Sequence, residues 1–289
     1  MSFSGTVRVQ INGTWTNLTY NSTSGAWEAT ITAPGKTSYN LNNHSYVVTA
    51  EAKNTAGTVA TATANLRVKE TVKPVITIIS PSTGAYVSNN KQPLVFNITD
   101  EANGSGVDTN SIIVKKDNSA VTSGIAYEAI TNGYKVTVTP SAAFTDGSHT
   151  WTVSGSDFDG NAADSKSTTF KVDTIPPTLN ITSPADGLIT NNVTCVVAGK
   201  TNDATSSPVT VTINGVAVTV SADGTFSKTI TLSEGSNTIT VVATDSAGKS
   251  STVTRTVTLD TSAPNIKSVT VTPNPANTGE SMIVKVVVE

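Results

Sequence analysis

A short turn of the form [Ala/Gly]-x-[Asn/Asp]-x-x-Gly occurs three times in this chain, each time at an almost constant distance from a proline. The copies are Ala52-Lys-Asn54-Thr-Ala-Gly57, Gly155-Ser-Asp157-Phe-Asp-Gly160 and Ala243-Thr-Asp245-Ser-Ala-Gly248, and Pro74, Pro177 and Pro264 follow 17, 17 and 16 residues later. In a β-ladder the register is set by turns and by the two-residue side-chain period, so a constant turn-to-proline spacing means the same hairpin built three times. The prolines sit in similar junctions, Glu70-Thr-Val-Lys-Pro74, Asp173-Thr-Ile-Pro-Pro177 and Asp260-Thr-Ser-Ala-Pro264, 103 and 87 residues apart. Repeats of that length match β-sandwich domains; solenoids and propellers repeat every 20–50 residues or so.

The strand before each turn alternates. Val48, Ala50 and Ala52 align with Trp151, Val153 and Gly155, and with Ile239, Val241 and Ala243. These positions are expected to face a core while the intervening residues face water. Val209–Ile213 and Val7–Ile11 each run into an Asn-Gly pair, Asn214-Gly215 and Asn12-Gly13, which suits a type I′ turn because both of its central residues need positive φ. Composition agrees: Thr, Ser, Asn, Val and Ala dominate, strong helix formers are scarce, and only 13% of residues are charged.

The expected fold class is therefore all-β, with tandem antiparallel sandwiches over residues 1–72, 73–175 and 176–262 and a two-strand extension over 263–289. The first unit is expected to lack its two opening strands. Between Pro177 and Val209 the third unit has room for two strands, whereas Val7 is preceded by only six residues. The C-terminal stretch supplies two strands of that kind, Ile266–Thr272 and Ser281–Glu289, with Met282 lying 18 residues after Pro264 as Cys195 lies 18 after Pro177.

The stretches Val211-Thr-Ile-Asn-Gly215, Ala222-Asp-Gly-Thr-Phe226, Glu234-Gly-Ser-Asn-Thr-Ile239 and Ala243–Gly248 resemble bacterial immunoglobulin-like (Ig-like) domains of the glucodextranase-B type. The other two units look like divergent members of the wider bacterial Ig-like group. The resemblance implies disulfide-free sandwiches serving as spacers or binding modules on bacterial surfaces, in secreted enzymes or on phage virions. Met1–Thr6 has no basic stretch followed by an apolar one, so no signal peptide is expected there. Arrays that start in this way resemble accessory Ig-like proteins of tailed phages and prophages. The expected role is thus a non-enzymatic structural or decoration protein of a phage-like particle, located on the virion. The alternative is a cell-surface adhesin or carbohydrate-binding module.

A net charge of −3 without a basic patch gives no support to nucleic-acid binding, and no apolar run approaches the ~20 residues needed to span a bilayer. His44 and His149 read as turn residues just before strands. Cys195, the only cysteine, reads as a buried apolar position. No Ser/His/Asp, Cys/His or paired-carboxylate frame is recognisable, and no cofactor is expected apart from calcium. Trp27 and Trp151 align with core positions, which leaves Trp15 as the candidate for stacking on a host-surface glycan.

Calcium takes about 6–8 oxygen ligands, which Asp- and Asn-rich loops can supply. The candidate ligands are Asp100, Glu101, Asn103 and Asp108 in one loop and Asp157 and Asp159 in the neighbouring hairpin, with the junction acids Glu70, Asp173 and Asp260 as further candidates to stiffen the links. The competing role for these residues is turn capping, in which the side chain accepts nearby backbone N–H groups. The candidate partner-binding residues are Val269, Val271, Met282, Val284, Val286 and Val288 of the terminal strands. Burial is worth ~1.5–3 kcal/mol for each such side chain, whereas ordering a residue costs ~1–2 kcal/mol in backbone entropy. A lone hairpin is marginal, so these strands are expected to pair with a sister subunit or another virion protein.

Overall fold

A computed structural model describes residues 3–289. Residues up to Thr174 pack as one compact unit and residues from Ile175 on as a second. The only helical element among the described residues is a 3-10 turn at Asn42–His44; no helix is long and apolar enough to cross a membrane.

The first Ig-like domain comprises β1 (Gly5–Ile11), β2 (Thr14–Asn17), β3 (Thr19–Asn21), β4 (Ala26–Glu28), β5 (Tyr46–Asn54) and β6 (Val59–Leu66). One sheet runs β2-β1-β5-β6, and β3–β4 form a separate hairpin. Asn12 and Gly13 both have positive φ (49° and 81°), as the β1–β2 turn requires. The alternating residues Val48, Ala50 and Ala52, expected inside, are only half-buried. Among the described residues this domain has, apart from the β2-β1-β5-β6 sheet, only the short β3–β4 hairpin, too little strand to cover a whole sheet face, so these side chains stay partly open to solvent.

The second domain comprises β7 (Val75–Ser80), β8 (Tyr86–Val87), β9 (Leu94–Thr99), β10 (Val107–Lys116), β11 (Ser119–Val121), β12 (Ile125–Ile130), β13 (Gly133–Val138), β14 (Gly147–Asp157) and β15 (Lys166–Val172). Sheets β12-β13-β9-β7 and β11-β10-β14-β15-β8 face each other. Leu94, Phe96 and Ile98 pack from one layer against Val114, Trp151, Val153 and Phe170 from the other, all almost completely buried. That alternation in β9 and β14 is the two-residue period of strands whose inner faces meet across a sandwich.

The third domain comprises β16 (Thr178–Ser183), β17 (Leu188–Thr190), β18 (Thr194–Asn202), β19 (Thr210–Ile213), β20 (Val216–Val218), β21 (Thr225–Thr231), β22 (Gly235–Thr244) and β23 (Ser250–Leu259). Its sheets are β16-β18-β21 and β17-β23-β22-β19-β20. The stretch between Pro177 and Val209 holds three strands where two were expected. The additional β17 leaves the β16–β18 layer and pairs in parallel with β23. Ile239, Val241 and Ala243 are fully buried, and Cys195 is buried beside Val197. A C-terminal antiparallel hairpin, β24 (Ile266–Thr272) and β25 (Ile283–Val288), completes the chain. All-β tandem Ig-like sandwiches followed by a two-strand extension are thus observed.

Candidate functional site

A polar cluster built around the buried Asp100, Asp157 and Asp159 lies at the seam between the first two Ig-like domains. The loop after β9 and the β14–β15 hairpin contribute Asp100, Glu101, Asp157 and Asp159, and the link after β6 contributes Arg67, Lys69 and Glu70. Asp157 performs the turn-capping role: its Oδ1 accepts the Asn161 N–H at 2.8 Å and its Oδ2 the Asn161 side-chain amide at 2.8 Å. The matching residues do likewise, Asn54 accepting from Thr58 and Asp245 from Lys249, each four positions on. This explains why Asn or Asp recurs at that position of the repeat.

Asp159 looks the other way, across the seam. Its Oδ2 accepts the Glu70 N–H at 3.2 Å and the Thr37 hydroxyl, its backbone carbonyl accepts the Lys69 ammonium at 2.8 Å, and the Arg67 guanidinium lies 3.9 Å from Oδ1. Glu70 in turn accepts the Ser105 N–H through Oε1, and its carbonyl accepts the Asn161 amide at 3.3 Å. The Asn40 side chain donates to the Gly104 carbonyl at 2.7 Å, while Tyr39 stacks on Phe158 with ring centroids 4.7 Å apart and planes 10° from parallel. These contacts tie the 36–45 loop and the link of the first domain to the loops of the second.

Asp100 Oδ2 accepts the Gly106 N–H at 2.8 Å. Burial pushes the Asp100 carboxyl above the ordinary carboxylate range, and nearby Asp157 and Asp159 add to the rise while backbone amides oppose it. One carboxylate oxygen each from Glu70, Asp100 and Asp157 lies within 4.8 Å of the other two.

The fold regroups the candidate residues. Asp100 and Asp157 belong together, and Glu101 and Asp159 stand beside them. Asp108 does not join them: its Oδ1 accepts the Asn110 N–H at 2.9 Å, closing a local turn. Asn103 is exposed with φ of 68°, a loop-reversal position. Glu70 is brought into the cluster by the fold. In sequence it is separated from Asp100 by the whole of β7–β9, and only its place in the junction marked it.

The other candidate residues take structural places. His149 lies inside β14, not before a strand, because β14 starts at Gly147. Its Nδ1 pairs with Asp117 Oδ2 at 2.7 Å and its Nε2 with the Thr145 carbonyl at 2.8 Å. Burial also pushes the Cys195 thiol up, away from the reactive thiolate. Trp151 is fully buried, and Trp27 is half-buried against Phe3 and Tyr20. Trp15 is exposed on one side, with the Arg8 guanidinium 4.2 Å from the ring centre on the other.

Comparison with known proteins finds Ig-like family models on two of the three repeats. Residues 82–174 match the family model of a bacterial Ig-like domain, and residues 177–261 match that of glucodextranase, domain B. Bacillopeptidase F of Bacillus subtilis (strain 168) is 38% identical over 106 residues, covering 37% of this chain and 7% of that protein. Among solved structures, the fibronectin(III)-like modules of Clostridium thermocellum CbhA match at 18% identity and a TM-score of 0.41, covering 64% of this chain and 94% of theirs. A tetra-tandem repeat from the extending region of a large adhesion protein matches at 19% identity and a TM-score of 0.33, covering 100% and 82%. Similarity at that level carries no argument about activity.

Proposed function

We propose that this chain is a non-catalytic structural segment, a series of Ig-like domains that holds position and docks by strand addition through its C-terminal hairpin. The observation that carries this reading is the register of β24–β25. Asn265 and Glu289 exchange backbone hydrogen bonds at 3.1 and 2.8 Å, the same pairing that joins Thr178 to Asn202 in the third domain. Each pair of strands then passes one bulge and returns to step, with Thr270 opposite Lys285 as Ser183 is opposite Ala198. The hairpin thus has the form of the opening pair of an Ig-like domain.

In the second and third domains that pair is extended by another strand, β13 beside β9 and β21 beside β18. Among the described residues β25 has β24 as its sole ladder partner, and the face built by Val269, Val284, Val286 and Val288 is exposed. An edge with unpaired backbone groups and an uncovered apolar face is a template for pairing. The matching acceptor is the first domain of a sister copy. Its β4 carries Trp27 at the place of Phe226 and, among the described residues, is laddered only to β3.

The sister-copy acceptor serves equally in a decoration protein of a tailed-phage particle and in a bacterial surface array, where glycan contact through Trp15 would be secondary. Light scattering of the full chain and of residues 1–264 tests the docking. The full chain is expected to self-associate and the shortened one to be monomeric. Two stable monomers would end this reading. Fractionating producer cells and any released particles then assigns the setting.

A further inference from the structure

We infer that Glu70, Asp100 and Asp157 form a calcium site, and that the ion pins the first Ig-like domain to the second. The geometry is that of one shared ion: the three ligand oxygens lie within 4.8 Å of one another, and calcium bonds oxygen at ~2.3–2.6 Å, so ligands on opposite sides of one ion are separated by about twice that distance. The donors are all hard carboxylate oxygens with no sulfur or imidazole among them, the set that suits calcium over zinc or copper. Magnesium prefers tighter octahedral geometry and keeps most of its water, which fits a cluster of buried carboxylates less well.

A second observation points to a ligand independently of the clustering. Asp100 is only 8% exposed, yet its Oδ1 is buried without a hydrogen-bond donor, and Glu70 Oε2 is in the same condition. A buried carboxylate oxygen without a donor is unfavourable unless a cation or a proton meets it. The partner oxygen of each residue is held in place by a backbone amide, Gly106 for Asp100 and Ser105 for Glu70, while Asn161 holds Asp157 from both sides. The carboxylates are therefore oriented in advance, which lowers the ordering cost of capturing an ion.

Nearby cations do not fill the role. Arg67 and Lys69 both turn to Asp159, and among the described residues no Lys, Arg or His forms an ion pair with Glu70, Asp100 or Asp157. Glu101, whose Oε2 is also buried without a donor, adds further negative charge to the same loop. Because Glu70 belongs to the inter-domain link and the other two belong to the second domain, occupancy joins the two covalently adjacent domains through the ion. This inference does not depend on the hairpin, so the failure of one leaves the other standing.

The test uses the full chain, stripped with EDTA and dialysed at pH 7. Titration with calcium chloride in a calorimeter is expected to show saturable binding, with a rise in melting temperature by mass action. Glu70→Gln keeps an oxygen for the Ser105 amide but removes the charge, and Asp100→Asn does the same toward Gly106. Each is expected to lose one calcium per chain, whereas Asp108→Asn retains it. Hydrogen exchange of the unmodified protein gives a reading that needs no variant: calcium is expected to slow exchange in peptides covering residues 67–72 and 100–106. Absence of binding heat, unchanged exchange in those peptides, or full calcium stoichiometry in folded Glu70→Gln and Asp100→Asn would each overturn the site.

Discussion

Asp159 in the second Ig-like domain accepts the backbone N–H of Glu70 at 3.2 Å, and the two residues are 89 positions apart in the chain. The bond fixes the link between the first two domains from the β14–β15 hairpin of the second, beside the Asn161 bond to the Glu70 carbonyl and the stack of Phe158 on Tyr39. Asp159 is almost completely buried, so its partners would be left without an acceptor if it were removed.

Asp159→Ala is therefore expected to destabilise the seam by ~1–3 kcal/mol, the usual cost of unsatisfied buried polar partners. Urea unfolding followed by the fluorescence of Trp15 and Trp27 reads the first domain, while Trp151 reads the core of the second. A loss confined to the Trp151 signal would contradict the seam assignment.

Trp151 and Trp15 are expected to differ sharply. Trp151→Ala empties the middle of the second core and is expected to cost ~3–5 kcal/mol. Trp151→Phe is expected to cost much less, since it keeps a ring there and deletes an indole N–H that has no acceptor in the structure. Trp15→Ala removes only a partly exposed ring and its Arg8 contact, a change of ~0.5–1 kcal/mol. Thermal unfolding of the three variants provides the order.

Two glycines separate crowding from backbone conformation. A Cβ at Gly133 would lie 2.1 Å from the Ile98 carbonyl oxygen, so Gly133→Ala must push β13 away from β9. Gly215 has open space around it but a φ of 78°. Gly133→Ala is expected to cost ~2–3 kcal/mol and Gly215→Ala ~1–2 kcal/mol. Equal midpoints in urea would refute the distinction.

Burial raises Asp117, but the Thr150 amide and the His149 ring outweigh it and hold the carboxyl below the ordinary aspartate value of 3.8. A carboxylate with a depressed folded value contributes stability that is present above its unfolded value and is lost as pH falls through the folded one. Stability measured from pH 5 down to 2 is therefore expected to fall less steeply in Asp117→Asn than in the parent. The opposite order would show that the residue does not titrate in this way.

Much of the fold was legible in the chain because it rests on local rules. The Asn-Gly turns announced positive φ at two successive residues, and Asn214 and Gly215 have it. The period of two along Trp151–Gly155 and Ile239–Ala243 announced buried faces, and both are buried. The same pattern at Val48–Ala52 overstated burial, since alternation reports which side a residue faces and not whether a second layer covers it. β17 was missed for a related reason: three residues, Leu188-Ile-Thr190, carry too little periodicity to announce a strand, and their parallel pairing to β23 is wholly non-local.

The candidate site divides along the same line. Sequence alone determined that Asp or Asn must recur at positions 54, 157 and 245, because each caps a turn through bonds spanning four residues or fewer. It also singled out Asp100 and Glu101 as an acidic loop. Only the tertiary structure decided that Glu70 meets Asp100 and Asp157, that Asp108 and Asn103 stand apart, and that Asp159 serves the link. Turn chemistry acts over a few bonds and leaves its mark in neighbouring residues. The meeting of carboxylates from a linker, a loop and a hairpin depends on how two sandwiches close on one another, and no short stretch of sequence encodes that distance.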